Sequence, residues 1–577
     1  MQTSNHRFRR LAAASLMAAL TLAASAQETQ FLSNNHCIYR IGEKQKFLLL
    51  PVQESAEMCN VKLVADNYTA KTFNVRLASS HIDYYVPLRL DKTRGGKTLA
   101  LDIHVNGQRR NDGELAAFTC WKNMKGADSF DTTNREMHRT AYHHSPAYGW
   151  MNDPNGMFYK DGVWHIYFQW NPYGSQWENM TWGHSTSTDL IHWTHHDETI
   201  EPDAWGTVFS GSAVVDKDGT AGFGKNAIVA LYTSAGESQT QSMAYSTDGG
   251  STFTKYDANP VITSNRLDFR DPHMFWNDDT KRWNMILAEG QYVKIYSSAD
   301  LKHWTYESSF GEEYGSHGGV WECPDLMKLQ VRGTNKQKWM LVCNVNPGGP
   351  TGGAATQYFV GDFDGHKFTC DSKPEVTKWM DYGHDHYATV TFDNAPQGRH
   401  VALAWMADPQ YAGQVPTTQY RSNNSIPRDL DLYEYGGETY CGVVPSPEVT
   451  AARSKKASKT LTEACELVVN FKNSATITLA NGNGEQVVLA YDQKAKTFSV
   501  DRTKSGTTSF NDNFATVTTA PVHGKMTRLR VMIDRCSIEC FDADGRMAMT
   551  NLVFPTKPYN KISVSGKASY VVYDMRK

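Results

Sequence analysis

The sequence predicts an all-β protein: a five-bladed β-propeller followed by a C-terminal β-sandwich and preceded by a small N-terminal β-sandwich-like module. Three observations carry this expectation. The 577 residues include 15 Trp and 28 Tyr, many Gly, and no long helical pattern. Short apolar runs alternate with polar turns along the whole chain. Between about 141 and 430 one unit recurs in five copies, at a period of roughly 50–60 residues.

A chain this long exceeds one compact core, so several domains are expected. Residues 1–26 read as a targeting segment. Arg7, Arg9 and Arg10 give a cationic start, Leu11 to Leu22 is small and apolar, and Ala24-Ser25-Ala26 offers a small-residue cleavage site. The expectation is export to the periplasm or beyond the cell. The apolar run is too short to span a bilayer, so no membrane insertion is expected. A formal charge of -3 without a basic block speaks against a nucleic-acid partner. The 10 Cys show no CxxC pair and no metal-ligand spacing. No metal is therefore expected, and most thiols should be free and buried.

The first module is expected over 27–135. Phe47-Leu48-Leu49-Leu50-Pro51-Val52, Val61-Lys62-Leu63-Val64, Tyr84-Tyr85-Val86-Pro87-Leu88 and Leu99 to Val105 are strand-like and evenly spaced. Residues 121–140 are polar and read as a linker.

The propeller is expected over 136–435. Its copies open at Asp153-Pro154, Ser210-Gly211, Arg270-Asp271-Pro272, Glu322-Cys323-Pro324-Asp325 and His384-Asp385-His386. Each continues into a short apolar strand, a turn, and a second strand rich in Trp, Tyr and Val. A second marker keeps step. Ser187-Thr188-Asp189 running to Trp193 recurs as Ser246-Thr247-Asp248 running to Phe253, and as Ser298-Ala299-Asp300 running to Trp304. A fainter copy lies at Asp362 to Phe368. A turn that feeds an aromatic onto an outer strand is a blade signature, so these markers are read as structural.

Propeller geometry turns the repeat into chemistry. The innermost strands of all blades converge on one axial funnel, so Asp153, Asp271, Glu322 and Asp385 are expected to crowd together. Crowded carboxylates cannot all ionise freely, so at least one pKa should rise. A nucleophilic carboxylate beside a protonated acid is what glycoside hydrolysis needs. The stretch Trp150-Met151-Asn152-Asp153-Pro154-Asn155-Gly156 adds amides for sugar hydroxyls and a Trp for stacking.

Three stretches resemble the signature motifs of glycoside hydrolase family 32, the invertases, inulinases and levanases. They are Trp150 to Gly156, Arg270-Asp271-Pro272 and Glu322-Cys323-Pro324-Asp325, in the family's order. Gln169-Trp170-Asn171-Pro172, Trp182-Gly183-His184-Ser185, Phe209-Ser210-Gly211-Ser212 and Ser425-Ile426-Pro427-Arg428 resemble it too. The resemblance implies a retaining β-fructofuranosidase, with Asp153 as nucleophile, Glu322 as acid and then base, and Asp271 stabilising the transition state. Arg270 is expected to help keep Asp271 ionised. Asn152, Gln169, Trp177, Phe209, Ser210, Arg270 and Asp385 are the expected substrate contacts. The implied partner is a fructan or fructo-oligosaccharide: levan or inulin, with sucrose also open, cut from the chain end. Endo-levanase and sucrose-preferring invertase are the alternatives within the class, and a non-catalytic fructan-binding protein the alternative outside it. No metal, nucleotide or redox cofactor is implied, and the oligomeric state is left open.

Residues 436–577 again alternate in short strands, as in Leu467 to Phe471, Val487 to Tyr491 and Leu529 to Ile533. Asp534 to Asp542 resembles the hallmark of the family's C-terminal β-sandwich. Glu539 is read there as structural, because it falls outside the propeller.

Overall fold

The structure is a computed structural model and describes residues 28–42, 44–107, 111 and 113–575. The expected targeting segment, 1–26, lies outside these residues. The chain divides into two compact units, 1–130 and 131–577.

The first unit is a β module of two sheets. Strands β1 (Glu28–Ser33), β2 (His36–Ile41), β3 (Phe47–Val52), β4 (Cys59–Ala65), β5 (Tyr68–Val75), β6 (Tyr84–Arg89), β7 (Leu99–Val105) and β8 (Lys125–Ala127) build it. One sheet has the order β1-β2-β7-β4-β5 and the other β6-β3-β8. Period-2 alternation turns Cys37 and Tyr39, Val61 and Leu63, and Leu101 and Ile103 inward, all buried. Their neighbours His36, Asp102, His104 and Lys62 face outward.

The expected linker at 121–140 shrinks to about 128–135, which carries no helix or strand and contains the division between the units. Residues 125–127 pair with β3 inside the module. Further on, the Glu136 carboxylate accepts bonds from the amides of Thr418 (2.7 Å) and Gln419 (2.8 Å). His138 Nε2 meets the Pro555 carbonyl at 3.0 Å. From Glu136 onward the polar side chains bond backbone groups of the second unit rather than water alone.

The second unit begins with five antiparallel sheets arranged as blades. Their innermost strands are Gly149–Lys160, Thr207–Asp216, Phe269–Asn277, Val320–Gln330 and Tyr387–Thr391. Hydrogen bonds, most of them from side chains, stitch each blade to the next around the axis. Asn155 Oδ1 accepts from Gly211 N (2.9 Å), Ser212 Oγ from Met274 N (2.9 Å), and Asp271 Oδ2 from Cys323 N (2.9 Å). Asp325 Oδ2 accepts from Thr391 N (2.9 Å), and Asp393 N donates to the Met157 carbonyl (2.9 Å), closing the ring on blade one. Tyr420–Arg421 adds a parallel strand to Gly149 and Trp150, a second clasp across the closure.

The repeated Asp markers are turns, as read. Asp189 Oδ1 accepts from the amides of Ile191 and His192, Asp248 Oδ1 from Ser251 and Thr252, and Asp300 Oδ1 from Lys302 and His303. Asp364 Oδ1 does the same for His366 and Lys367.

The C-terminal part is a β-sandwich built on two long paired strands, Cys465–Ala480 and Lys561–Asp574. A bulge between Phe471 and Ala475 bends the pair around one apolar core that includes Leu467, Ile477, Leu489, Val500, Val531 and Ile538. Buried ion pairs join it to the propeller. Arg428 donates to Asp381 (2.8 Å) and to Glu539, and His143 bridges Asp534 (2.7 Å) and Glu539 (2.8 Å). Glu539 is therefore structural. All ten cysteines are free thiols, nine of them buried. Among the described residues, no helix is long and apolar enough to cross a membrane.

Candidate active site

Every inner strand carries a β-bulge, and the site residues sit on these bulges. In each blade, three steps along the inner strand oppose two on its neighbour. The bulges fall between Met151 and Pro154, Val208 and Gly211, Arg270 and His273, Glu322 and Asp325, and Tyr387 and Val390. A bulge twists the strand and re-aims one side chain out of the alternating pattern. The prolines at 272 and 324 suit this position, since an unpaired residue needs no amide to donate. Asp271 (φ 68) and Cys323 (φ 44) adopt left-handed backbone there, and so does Ala388 (φ 55).

Three carboxyl groups meet as a result. Ser210 Oγ donates to Asp153 Oδ2 at 2.6 Å. The Cys323 thiol lies between two acids, 3.5 Å from Asp153 Oδ2 and 3.6 Å from Asp271 Oδ2. Arg270 reaches Glu322 Oε1 through Nε (3.1 Å) and Nη2 (2.9 Å), and Asp268 through Nη1 (2.6 Å). The Tyr387 hydroxyl donates to Glu322 Oε2. Asp271 is buried, whereas Asp153 and Glu322 are half-buried.

The electrostatics follow from crowding. Burial raises the Asp153 pKa, the Glu322 charge raises it further, and bonds from Ser210, Asn152 and Cys323 oppose the rise. Burial pushes Asp271 up to about 7; Arg270 pulls it down, but Glu322 and Asp153 add to the rise. Arg270 thus helps Asp271 to ionise, as expected, but only through space and against a larger cost of burial. The guanidinium spends its donors on Glu322 and Asp268 and touches Asp271 only through space. Burial and its acidic neighbours also keep Cys323 a neutral thiol.

The remaining expected contacts divide. Asn152 is buried and accepts the Trp150 indole N–H at 2.9 Å; Gln169, opposite the first bulge, donates to the Val208 carbonyl at 3.0 Å. Trp177, 53% exposed, stands edge-to-face with Phe209 at 5.9 Å. Gly156 has φ +52, and a Cβ there would lie 2.6 Å from Trp182, so only glycine lets the Asp153 strand pass.

Asp385 is not with the others. It is fully buried against the sandwich, accepting from Arg502 Nη1 (2.5 Å), the Tyr411 hydroxyl (2.6 Å) and Leu552 N (2.8 Å). The fifth bulge starts two residues later, at Tyr387, and Tyr387 is what blade five sends to Glu322. Sequence reasoning missed Tyr387 and Cys323. Cys323 sat inside a recognised motif, and Tyr387 was two residues beyond the acid that drew attention.

Comparison with known proteins agrees with this architecture. The Glycosyl hydrolases family 32 N-terminal domain profile matches residues 143–441, and the Glycosyl hydrolases family 32 C terminal profile matches 443–574. Residues 33–142 match a Domain of unknown function (DUF4980). A levanase of Bacillus subtilis is 42% identical over 465 residues, which span 75% of this chain and 68% of that protein. The crystal structure of exo-inulinase from Aspergillus awamori superposes with a TM-score of 0.72 at 34% identity, covering 78% of this chain and all of that one. A fructofuranosidase variant from Schwanniomyces occidentalis, complexed with fructosylnystose, gives 0.71 at 32%, covering 78% and 99%. Motifs, blade-by-blade geometry and matches along both halves of the second unit agree, and the chain belongs to glycoside hydrolase family 32.

Proposed function

We propose that the chain is a retaining β-fructofuranosidase that removes fructose from the ends of fructans, with Asp153, Glu322 and Asp271 as its catalytic carboxyl groups. The observation that carries this is the convergence of three acids, each delivered by the bulge of a different blade. Asp153 attacks the anomeric carbon while Glu322 gives its proton to the departing oxygen, so the glycosidic bond breaks as an ester to Asp153 forms. Water then attacks the same carbon, Glu322 takes its proton, and the ester breaks to free fructose and Asp153. Asp271, deepest of the three, bonds the fructose hydroxyls and opposes the oxocarbenium charge. Arg270 and Tyr387 fix the two oxygens of Glu322. Asn152, Gln169, Phe209 and Ser210 surround the ring, and Trp177 offers a stacking surface at the rim.

Action at chain ends is supported by the deeper burial of Asp271 than of Asp153 and Glu322, which suits a terminal sugar, and by the likeness to an exo-inulinase. Levan is favoured as substrate by the likeness to a levanase. The pattern of residues 7–26 supports export.

Chromatography of the earliest products from levan, inulin and sucrose tests the reading. Free fructose from the first time point, fastest from levan, is expected. A ladder of oligosaccharides overturns end action and leaves the chemistry; sucrose outrunning both polymers overturns the fructan assignment.

A further inference from the structure

The N-terminal module carries a cluster that the propeller chemistry does not use. His36 on β2 lies directly opposite His104 on β7 in the antiparallel register. Asp102 is two residues before His104, so it shares the same outward face. His36 Nε2 is 2.8 Å from Asp102 Oδ1, and His104 Nε2 is 3.2 Å from that same oxygen. The two imidazoles stack with centroids 3.8 Å apart. The three ligand atoms all lie within 4.8 Å of one another.

From these residues we infer that His36, Asp102 and His104 form a binding site for a divalent transition-metal ion, with Zn²⁺ as its reference ligand. Two imidazoles and one carboxylate are the donor set that borderline cations of this row prefer. Tetrahedral coordination at about 2.0–2.1 Å places neighbouring ligand atoms roughly 3.3 Å apart. The observed 2.8 and 3.2 Å are already near that spacing. Small rotations that fan the stacked rings apart bring both lone pairs onto one point. His36 and Asp102 are about a quarter exposed and His104 half exposed, so an ion enters from solvent and water completes its shell.

Lys62 on β4 lies opposite Asp102 in register, and Arg40 on β2 shares the outward face. Bound metal would rivet β2 to β7, whose strands are separated by most of the module's sequence.

The test uses the full chain without a polyhistidine tag, stripped by chelator and titrated calorimetrically with Zn²⁺. One saturable ion per chain is expected, weakened at least about 10-fold by His36→Ala, His104→Ala or Asp102→Asn, a loss typical even of outer-sphere partners. Hydrolytic activity and the thermal transition of each variant control for folding. With Cu²⁺, electron paramagnetic resonance should show nitrogen coupling from two imidazoles in the parent and one in either His variant. No saturable site, or one that all three variants bind unchanged, overturns the proposal and leaves a hydrogen-bonded surface cluster only.

Discussion

Asp271 is the residue whose environment is most at odds with its charge. A carboxyl whose folded pKa lies above its unfolded value stabilises nothing by ionising. Below the ordinary carboxylate range both states hold the proton and there is no penalty. As pH rises the unfolded chain releases its proton first, and the cost to the fold builds until about pH 7. Asp271→Asn should therefore raise thermal stability at pH 8 more than at pH 4, by on the order of a few kcal/mol, while hydrolysis collapses. A variant less stable at pH 8 than its parent would show that the charge is favoured after all. Tyr387→Phe removes the hydroxyl from Glu322 Oε2. Loss of one hydrogen bond to a charged group costs about 1.5–3 kcal/mol, so kcat should fall roughly 10- to 100-fold with KM little changed. An unchanged kcat would reduce Tyr387 to packing.

At the scale of elements, the inner-strand bulge and the outer turn divide the labour of each blade. The bulge aims a side chain and differs in residue from blade to blade. The Asp turn repeats, because all it does is gather amides. Asp300→Ala should cost about 0.5–2 kcal/mol, the loss typical of an end cap, without altering kcat/KM; a change in kinetics would tie the outer turns to the site. This division also explains what the sequence made legible. Repeat period, turn markers and three motif acids were readable because each is local in the chain. Asp385 misled because its repeat position is right but its bulge begins two residues later, a register shift that no composition reveals. Arg270 was legible as a helpful charge beside Asp271, but sequence adjacency says nothing about which carboxylate its planar fork faces, and it faces Glu322. The His36, Asp102 and His104 cluster was invisible because only the pairing of β2 with β7 assembles it.

In the molecule as a whole, the propeller and the sandwich are joined through charge held out of water. Burial alone would lower the His143 pKa, but its bonds to Asp534 and Glu539 outweigh that and lift it to about 9. A raised histidine pKa contributes stability that is complete below its unfolded value and disappears as pH climbs through the folded one. The second unit should lose about 3 kcal/mol between pH 6.5 and pH 9.5, read as a falling melting temperature. His143→Gln should be less stable at pH 6.5 and flatter across that window; an equally steep slope would move the effect elsewhere. The funnel that this joint helps to brace carries the central claim, that Asp153 forms the bond to the sugar. The most direct test is intact-mass and peptide mapping of Glu322→Gln incubated with a fructosyl donor that has a good leaving group. With the acid–base removed, deglycosylation stalls, and a single hexosyl adduct should appear on the peptide bearing Asp153. An adduct on any other residue would contradict the account, as would an Asp153→Asn enzyme that still turns over.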